Sequence, residues 1–501
     1  MKELREYKSA AVLGSLTAAV ALLVGLSSAS AQAPVSTAPT LSGAGSFPGS
    51  FVVPGTQTSL RVGGLVYFDL YYDMSTRDGA DSASVTGTPV EGSGTAQPTA
   101  THQTTHGIRM KDNTARPTIE TRTPTAWGEV KTYIEFDFQG TGGAALGGAL
   151  AGTTAATACC VDGEIPRLRQ AYGTFGPLLI GQALSLFSDV DAWSDSLDPS
   201  DPGWMGVGTN RKPQIRYTYL WPNGITSAFA FEEPISGGVF STTAAGTGFT
   251  SFGSGVAGVI PTAGAADVFG WNSFSNPGWM MQHWPAMVAR TRIDQPWGHA
   301  SVQLAVQEDR LETTNGIFGP ATTGLGNNGN HESHWGYQFS TSGHLNTWGR
   351  DRFTWYFNYG QGAGTYSDDV FVGGGSAYFD SLVCSVVDAL GNFKCSQPRN
   401  AGLSASYTHN WTDEWRSTVA YGYSWVSRPD AAATWTYVTP AAGTNGLAAL
   451  EDKHYTAHVN LQWSPTPNTN FGIEYQFYHR VVQSGAQGSH HRIETQVLFK
   501  F

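Results

Sequence analysis

Arg492-Ile493-Glu494-Thr495-Gln496-Val497-Leu498-Phe499-Lys500-Phe501 alternates with a period of two. Ile493, Val497, Phe499 and Phe501 share one face with Thr495, while Arg492, Glu494, Gln496 and Lys500 share the other, as in a strand between apolar and wet surroundings. Leu498 is the misfit. A soluble sheet can show the same alternation, but a strand ending on a terminal aromatic suggests the last stave of a barrel in an outer membrane. That reading requires partner strands of the same pattern in the rest of the chain.

Composition narrows the class. The chain has 501 residues, room for two or three soluble domains, yet only 13% are charged, 12% are aromatic and 61 are glycine, an unusual profile for a soluble enzyme. Lys2, Arg5 and Lys8 precede a largely apolar run from Ala10 to Leu26, with small-residue cleavage sites at Ala29-Ser30-Ala31 and Ala31-Gln32-Ala33. Residues 1–31 therefore read as a secretory signal peptide, cut after Ala31 because the alternative would leave Pro34 beside the cut. Its removal takes away three basic and two acidic groups, moving the net charge from −11 to −12 and arguing against a nucleic-acid partner. No later stretch approaches eighteen unbroken apolar residues, the length a membrane helix needs. Only a barrel could then span a bilayer.

Residues 32–58, rich in Pro, Gly, Ser and Thr from Pro34 on, read as a flexible lead-in, and residues 59–501 as the barrel. In the first strand Leu60, Val62, Gly64, Val66, Phe68, Leu70 and Tyr72 form one face. From there, long Gly/Ser/Thr/Ala-rich connections alternate with seven short turns: Pro124 to Gly128, Gly176-Pro177, Pro222-Asn223-Gly224, Gln295 to Gly298, Asn346 to Gly349, Thr412-Asp413-Glu414 and Ser464 to Asn468. Seven turns join fourteen strands in pairs, and the first and last strands make sixteen, an even number as single-chain bacterial barrels require. The fold class is all-β, a sixteen-stranded antiparallel transmembrane β-barrel with short periplasmic turns and long external loops. Leu178 to Phe187 alternates worst among its strands. Trp127, Trp221, Trp297, Trp348, Trp411, Trp415 and Trp463 lie in or beside the short turns, where amphipathic rings would form a belt at one membrane edge.

Ser46-Phe47-Pro48-Gly49-Ser50-Phe51 and Val53-Pro54-Gly55-Thr56-Gln57-Thr58-Ser59-Leu60-Arg61-Val62-Gly63-Gly64 resemble the approach to the first strand of the DcaP-like trimeric porins. Glu120-Thr121-Arg122-Thr123-Pro124-Thr125, Gly128-Glu129-Val130-Lys131-Thr132-Tyr133-Ile134-Glu135, Leu168-Arg169-Gln170-Ala171-Tyr172-Gly173 and Gly181-Gln182 are similar to that family's second to fifth strands. The match covers residues 46 to 200. The resemblance implies a sixteen-stranded homotrimer that passes small anions, dicarboxylates among them. Family members can carry a helical coiled coil ahead of the barrel, but residues 34–45 hold no heptads, so no periplasmic stalk is expected. Gly64, Gly181 and small residues around them suggest flatter surfaces where subunits meet. Membrane lipid and lipopolysaccharide would surround the assembly.

By alternation Arg61, Arg116, Arg122, Arg167, Arg169, Arg216, Arg290, Arg292, Arg352 and Arg492 fall on the lumen face. Arginine in the lipid face near mid-membrane would cost about 2–4 kcal/mol. Gathered mostly in the first half of the chain, these forks would favour anions in a narrow pore. The competing reading pairs them with Asp69, Glu120, Glu129, Glu135, Asp137 and Glu494 into a neutral wall. The connection Ser188 to Lys212 carries Asp189, Asp191, Asp195, Asp198 and Asp201. Folded inward and facing wall arginines, it would create a transverse field at a constriction. Cys384 and Cys395, in a Gly/Ser-rich stretch, are expected to bridge an external loop, while Cys159-Cys160 has no such reading.

Catalytic constellations do not emerge. His331-Glu332-Ser333-His334 lacks the spacing of a helical zinc motif, His490-His491 reads as a loop-to-strand junction, and no cofactor cradle or metal site is expected. A passive diffusion porin biased to small anions is the reading. A nonselective or carbohydrate-selective channel, with Tyr67, Tyr133, Tyr356 and Tyr478 stacking on sugars, is the alternative, and a barrel enzyme such as a phospholipase the remote one.

Overall fold

A computed structural model describes residues 43–74, 88, 107–112, 115–140, 165–197, 207–208, 210–234, 239–242, 249–252, 283–312, 331–367, 382–386, 393–427, 430, 451–483 and 485–501. Sixteen long strands form a closed antiparallel barrel. They are β1 (Ser59–Asp73), β2 (Arg116–Thr125), β3 (Gly128–Gly140), β4 (Ile165–Phe175), β5 (Leu178–Leu184), β6 (Arg211–Leu220), β7 (Ile225–Glu232) and β8 (Ala286–Gln295). The second half comprises β9 (Gly298–Glu312), β10 (His331–Asn346), β11 (Arg352–Gln361), β12 (Arg399–Asn410), β13 (Trp415–Val426), β14 (Glu451–Thr466), β15 (Thr469–Val482) and β16 (Gln487–Lys500). Each pairs with its neighbour in sequence, and β16 closes on β1 from Leu65↔Lys500 to Asp73↔Arg492.

All seven short turns fall between the strands that the sequence assigned to them. The β6–β7 turn carries Asn223 at φ 63° and Gly224 at φ 73°, the pair of left-handed residues that a tight hairpin of matching twist requires. The alternation resolves as expected. Val62, Val66, Phe68, Ile119, Ile134, Phe229, Phe231, Val302 and Leu304 are exposed on the outer face, forming the apolar band that lipid would cover. Leu498, the misfit, turns inward opposite Tyr67 and is buried. Trp127, Trp221, Trp297, Trp348, Trp411 and Trp415 are exposed at the short-turn end. Among the described residues no helix is long and apolar enough to cross a membrane.

Three local expectations change. The fifth strand ends at Leu184 rather than Phe187, because Ser185 begins a turn held by the Glu232 carboxylate. Gly181 lies opposite Tyr172, on the lumen side, so it cannot flatten an outer surface. A Cβ there would meet the Ala171 carbonyl oxygen at 2.4 Å, and φ is 128°, so the position demands glycine. The lead-in is not free along its whole length. From Gly45 it turns back through a Phe47–Ser50 bend, and Phe51–Val52 pairs with Leu60 and Ser59 of β1.

Beyond the barrel, Val239–Thr242, Phe249–Phe252, Leu382–Val386 and Phe393–Ser396 form a four-stranded sheet built from two long connections. Cys395 is disulfide-bonded, and its partner in register is Cys384. A bridge closing so short a hairpin contributes about 3 kcal/mol at most in the chain-entropy model. Replacing both cysteines by serine should leave the heat-modifiable barrel band intact on gels, and loss of that band would mean that this sheet carries the fold.

Candidate lumen and constriction

The connection after β5 enters the lumen and runs along one wall. Its root is apolar: Leu186 and Phe187 pack into a socket of Ala230, Ala286, Val288 and Ala305, closed by Ala363 and Tyr366. Small side chains on the inner faces of β7 to β9 make that socket possible. Polar anchors follow in order. Asp189 meets His299 Nε2 at 2.8 Å, accepts from the Ser342 hydroxyl at 2.6 Å and pairs with Arg292 at 3.3 Å. Asp191 pairs with Arg292 at 2.6 Å, and Arg352 donates to the Asp191 carbonyl. Asp195 takes Arg416 at 2.6 Å, while its carbonyl accepts from Asn460 and Gln462. Finally, the Leu197 amide donates to Glu474 and its carbonyl accepts from Gln496.

The consequence is an off-centre passage. Under the loop, Gln303, Gln338, Ser340, Asn358, Glu474 and Gln476 on the inner faces of β9 to β15 are each 0% exposed. On the opposite wall the Arg61, Arg122 and Arg167 side chains keep 41%, 32% and 44% of their surface. Water reaches these three cations on the inner face of β1 to β4.

That open wall carries a ladder of cations. Its rungs lie two residues apart along each strand, about 7 Å of rise. Nearest the β2–β3 turn are Arg122 and Lys131, paired in register, with Arg61 opposite Glu120 on the next rung. Arg169 follows, and Arg116 and Arg167 complete the ladder. Glu120 is buried beneath three cations, Arg61 at 2.7 Å, Arg122 at 2.7 Å and Lys131 at 3.4 Å. Higher up, Arg167 binds both oxygens of Asp137, and Arg169 bridges Glu135 and Asp137 at 2.7 Å and 2.6 Å. The acids sit in the wall with the arginines above them. A register shift at Glu135/Phe136 marks a bulge that turns Arg169 and Gln170 both inward, a re-aiming that simple alternation does not provide.

The family follows from the whole length of the chain. A family model described as the porin subfamily matches residues 48–497. The chain belongs to that porin subfamily. It is an outer-membrane channel. The fold is that of the outer membrane channel DcaP of Acinetobacter baumannii, at 18% identity over 91% of this chain and 100% of that one, with a TM-score of 0.61. Two further solved structures are more distant: the outer-membrane OmpT of Vibrio cholerae, at 7% identity over 90% of this chain and 100% of that one (TM-score 0.46), and an anion-selective porin from Comamonas acidovorans, at 9% over 89% and 100% (TM-score 0.42). The sequence matches none of the curated proteins compared with it.

The porin distributes its expected site residues between two tasks. Arg61, Arg122 and Arg167 reach water on the open wall, Arg116 lies over the Tyr67 ring in it, and Arg169 is buried within it. Arg216 is inward too, donating to Gln214 and to the Leu184 carbonyl. Arg290, bonded to the Ser188 carbonyl, and Arg292, paired with Asp189 and Asp191, hold the loop. The loop lies inward and its acids meet lumen arginines, Asp189 and Asp191 at Arg292 and Asp195 at Arg416, but these stand beside the loop on β8 and β13 and not across the lumen on the β1–β4 wall. Asp198 and Asp201 fall outside the described residues, as do Cys159 and Cys160. Lys131 and Tyr172 were legible by alternation but not singled out. Phe47, which packs on Arg122, had no sequence signal. Among the described residues no group of three or more His, Cys, Asp or Glu is placed to hold a metal ion.

Asp189 also sets a pH limit. Burial pushes its carboxyl up, but the His299 hydrogen bond and charge, the Ser342 hydroxyl and Arg290 outweigh burial and hold it below the usual carboxylate range. A depressed carboxyl contributes anchoring above the free-chain value, about 3.9, and loses it as pH falls through its own lower value. Open-channel current noise should therefore stay flat from neutrality into mild acid and rise only under strong acid. Noise rising already in mild acid would mean that Asp189 is not the group that anchors the loop.

Proposed function

We propose that the porin passes small hydrophilic solutes by passive diffusion and favours small anions, dicarboxylates among them. The carrying observation is the asymmetry of the lumen, in which the loop covers the late strands and leaves water in contact with the β1–β4 wall. There Arg61, Arg122, Lys131 and Arg167 keep 27% to 44% of their side-chain surface, while among the acids of the same strands Asp69, Asp73, Glu120, Glu135 and Asp137 are buried and Glu129 is half-exposed. Local potential governs passage more than net charge does, so an acidic chain can still hold an anion path. Wall pairing is extensive, as the neutral-wall reading expected, but it leaves cations outermost. The carbohydrate reading loses ground, because Tyr356 is buried with its hydroxyl on the Phe187 carbonyl and Tyr478 is buried as well. The porin acts after loss of residues 1–31, as a homotrimer. Planar-bilayer recording in a salt gradient tests the selectivity: a reversal potential of anion sign is expected, and one of cation sign overturns the proposal. Cross-linking in native detergent tests the trimer, which a monomer-only pattern would exclude.

A further inference from the structure

The lead-in folds onto lumen-facing residues, and its contacts are specific. The Ser46 amide donates to the Ser59 hydroxyl at 2.9 Å, and Ser50 closes a bend on the Phe47 carbonyl at 2.6 Å. This bend holds Phe47, only 7% exposed, between two guanidinium groups: Arg122 lies 4.4 Å and Arg61 5.5 Å from its ring centre. Both arginines also share Glu120, so each is fixed from two sides. These are the rungs nearest the β2–β3 turn and its exposed Trp127, hence at the periplasmic mouth.

We propose that Phe47 is the positioning residue of a separate carboxylate-binding station at the periplasmic mouth, built from Arg61, Arg122 and Lys131. This rests on the anion reading above and adds a second place where a solute pauses. Three cations surround one buried carboxylate, Glu120, and the half-exposed Glu129 lies at 3.8 Å from Arg122, so the cluster keeps a net positive charge. Free, these long side chains would each spend rotamer entropy to grip an anion. Held by an aromatic face, they present their remaining N–H donors already oriented. The station is distinct from the Arg167 and Arg169 rungs, which bind Asp137 and Glu135, and from Arg116, which lies over the Tyr67 ring.

The test uses the full-length channel in planar bilayers, with succinate added to one side at a time. Phe47→Ala should weaken succinate block from the periplasmic side about tenfold, the effect of losing one or two cation–π contacts. Block from the external side and the reversal potential in KCl should stay close to wild type. Phe47→Tyr should restore periplasmic block, which a merely structural role in the lead-in would not require. If Phe47→Ala fails to give a heat-modifiable barrel, Phe47→Leu keeps the apolar packing without the ring and should show the same one-sided loss. Unchanged block from both sides in an anion-selective channel overturns the station and leaves the anion reading standing. Equal weakening from both sides also overturns it, since a mouth site must act asymmetrically. A wild-type channel of cation sign removes the parent reading first.

Discussion

Replacing Arg122, Arg167 and Arg169 together by glutamine turns the channel cation-selective. Two of the four cations that reach water on the open wall, Arg122 and Arg167, are lost together with the buried Arg169, and the acids left behind cannot retreat. Asp137 is 0% exposed and loses both arginines that satisfy it, while Glu135 loses Arg169. Screening confines the effect to about 8 Å at physiological salt, so the change is felt where the loop narrows the passage. A graded series makes the argument quantitative. Arg122→Gln with Arg167→Gln removes two of the four water-facing cations and should move the reversal potential in a KCl gradient toward zero. The triple variant should carry it through zero, and uptake of small dicarboxylates should fall in the same order. Removing Arg169 from its buried pairs costs about 3–5 kcal/mol of stability, so the double variant is the safer arm. An unchanged reversal potential in the double variant would show that the ladder does not set selectivity.

Excising the segment between Ser185 and Asn210 and bridging its ends with glycines raises conductance by a large factor and weakens selectivity. The covered inner faces of β9 to β15 become wet, and solutes gain a path beyond the screening reach of the arginines. Milder changes should loosen the loop without removing it. Asp189→Ala leaves the buried His299 and the Arg292 cluster without their shared acceptor, a loss of about 3 kcal/mol for a broken buried pair. It should add flicker to the open-channel current, and Asp195→Ala, at the more exposed Arg416 pair, should add less. Conductance unchanged by excision would mean that the loop does not bound the passage.

Much of the barrel was legible because its signals are local. The period of two in β16, the Asn223-Gly224 turn and the tryptophans beside short turns each depend on neighbours a few residues away. Lumen placement of Arg61, Arg122 and Arg167 followed from the same parity. What parity could not give was the path of the loop. Asp189 and Arg292 are distant in sequence, and only three-dimensional closure places them together, so which of the lumen arginines the acidic loop would meet could not be read. Parity also fails at bulges, which is why Arg169 and Gln170 point the same way. Gly181 read as a flat outer position for the same reason: one strand's face is fixed only once its partner, here Tyr172, is known. Phe47 shows the limit in another form, since an aromatic in a Pro/Gly-rich stretch carries no periodicity at all.

The pairing at the start of β1 bears on how the molecule assembles in time. β16 reaches β1 only from Gly64 and Leu65 onward, while Ser59 and Leu60 are paired by Val52 and Phe51. The second contact spans a handful of residues and the first almost the whole chain. Loop-closure entropy makes the near contact form early and the far one last. While the sheet is still an open ribbon, the foot of its leading edge is already capped by its own hairpin, leaving less bare backbone to recruit a stray strand from another chain. The closing strand then zips against a partner edge whose register has been set in advance.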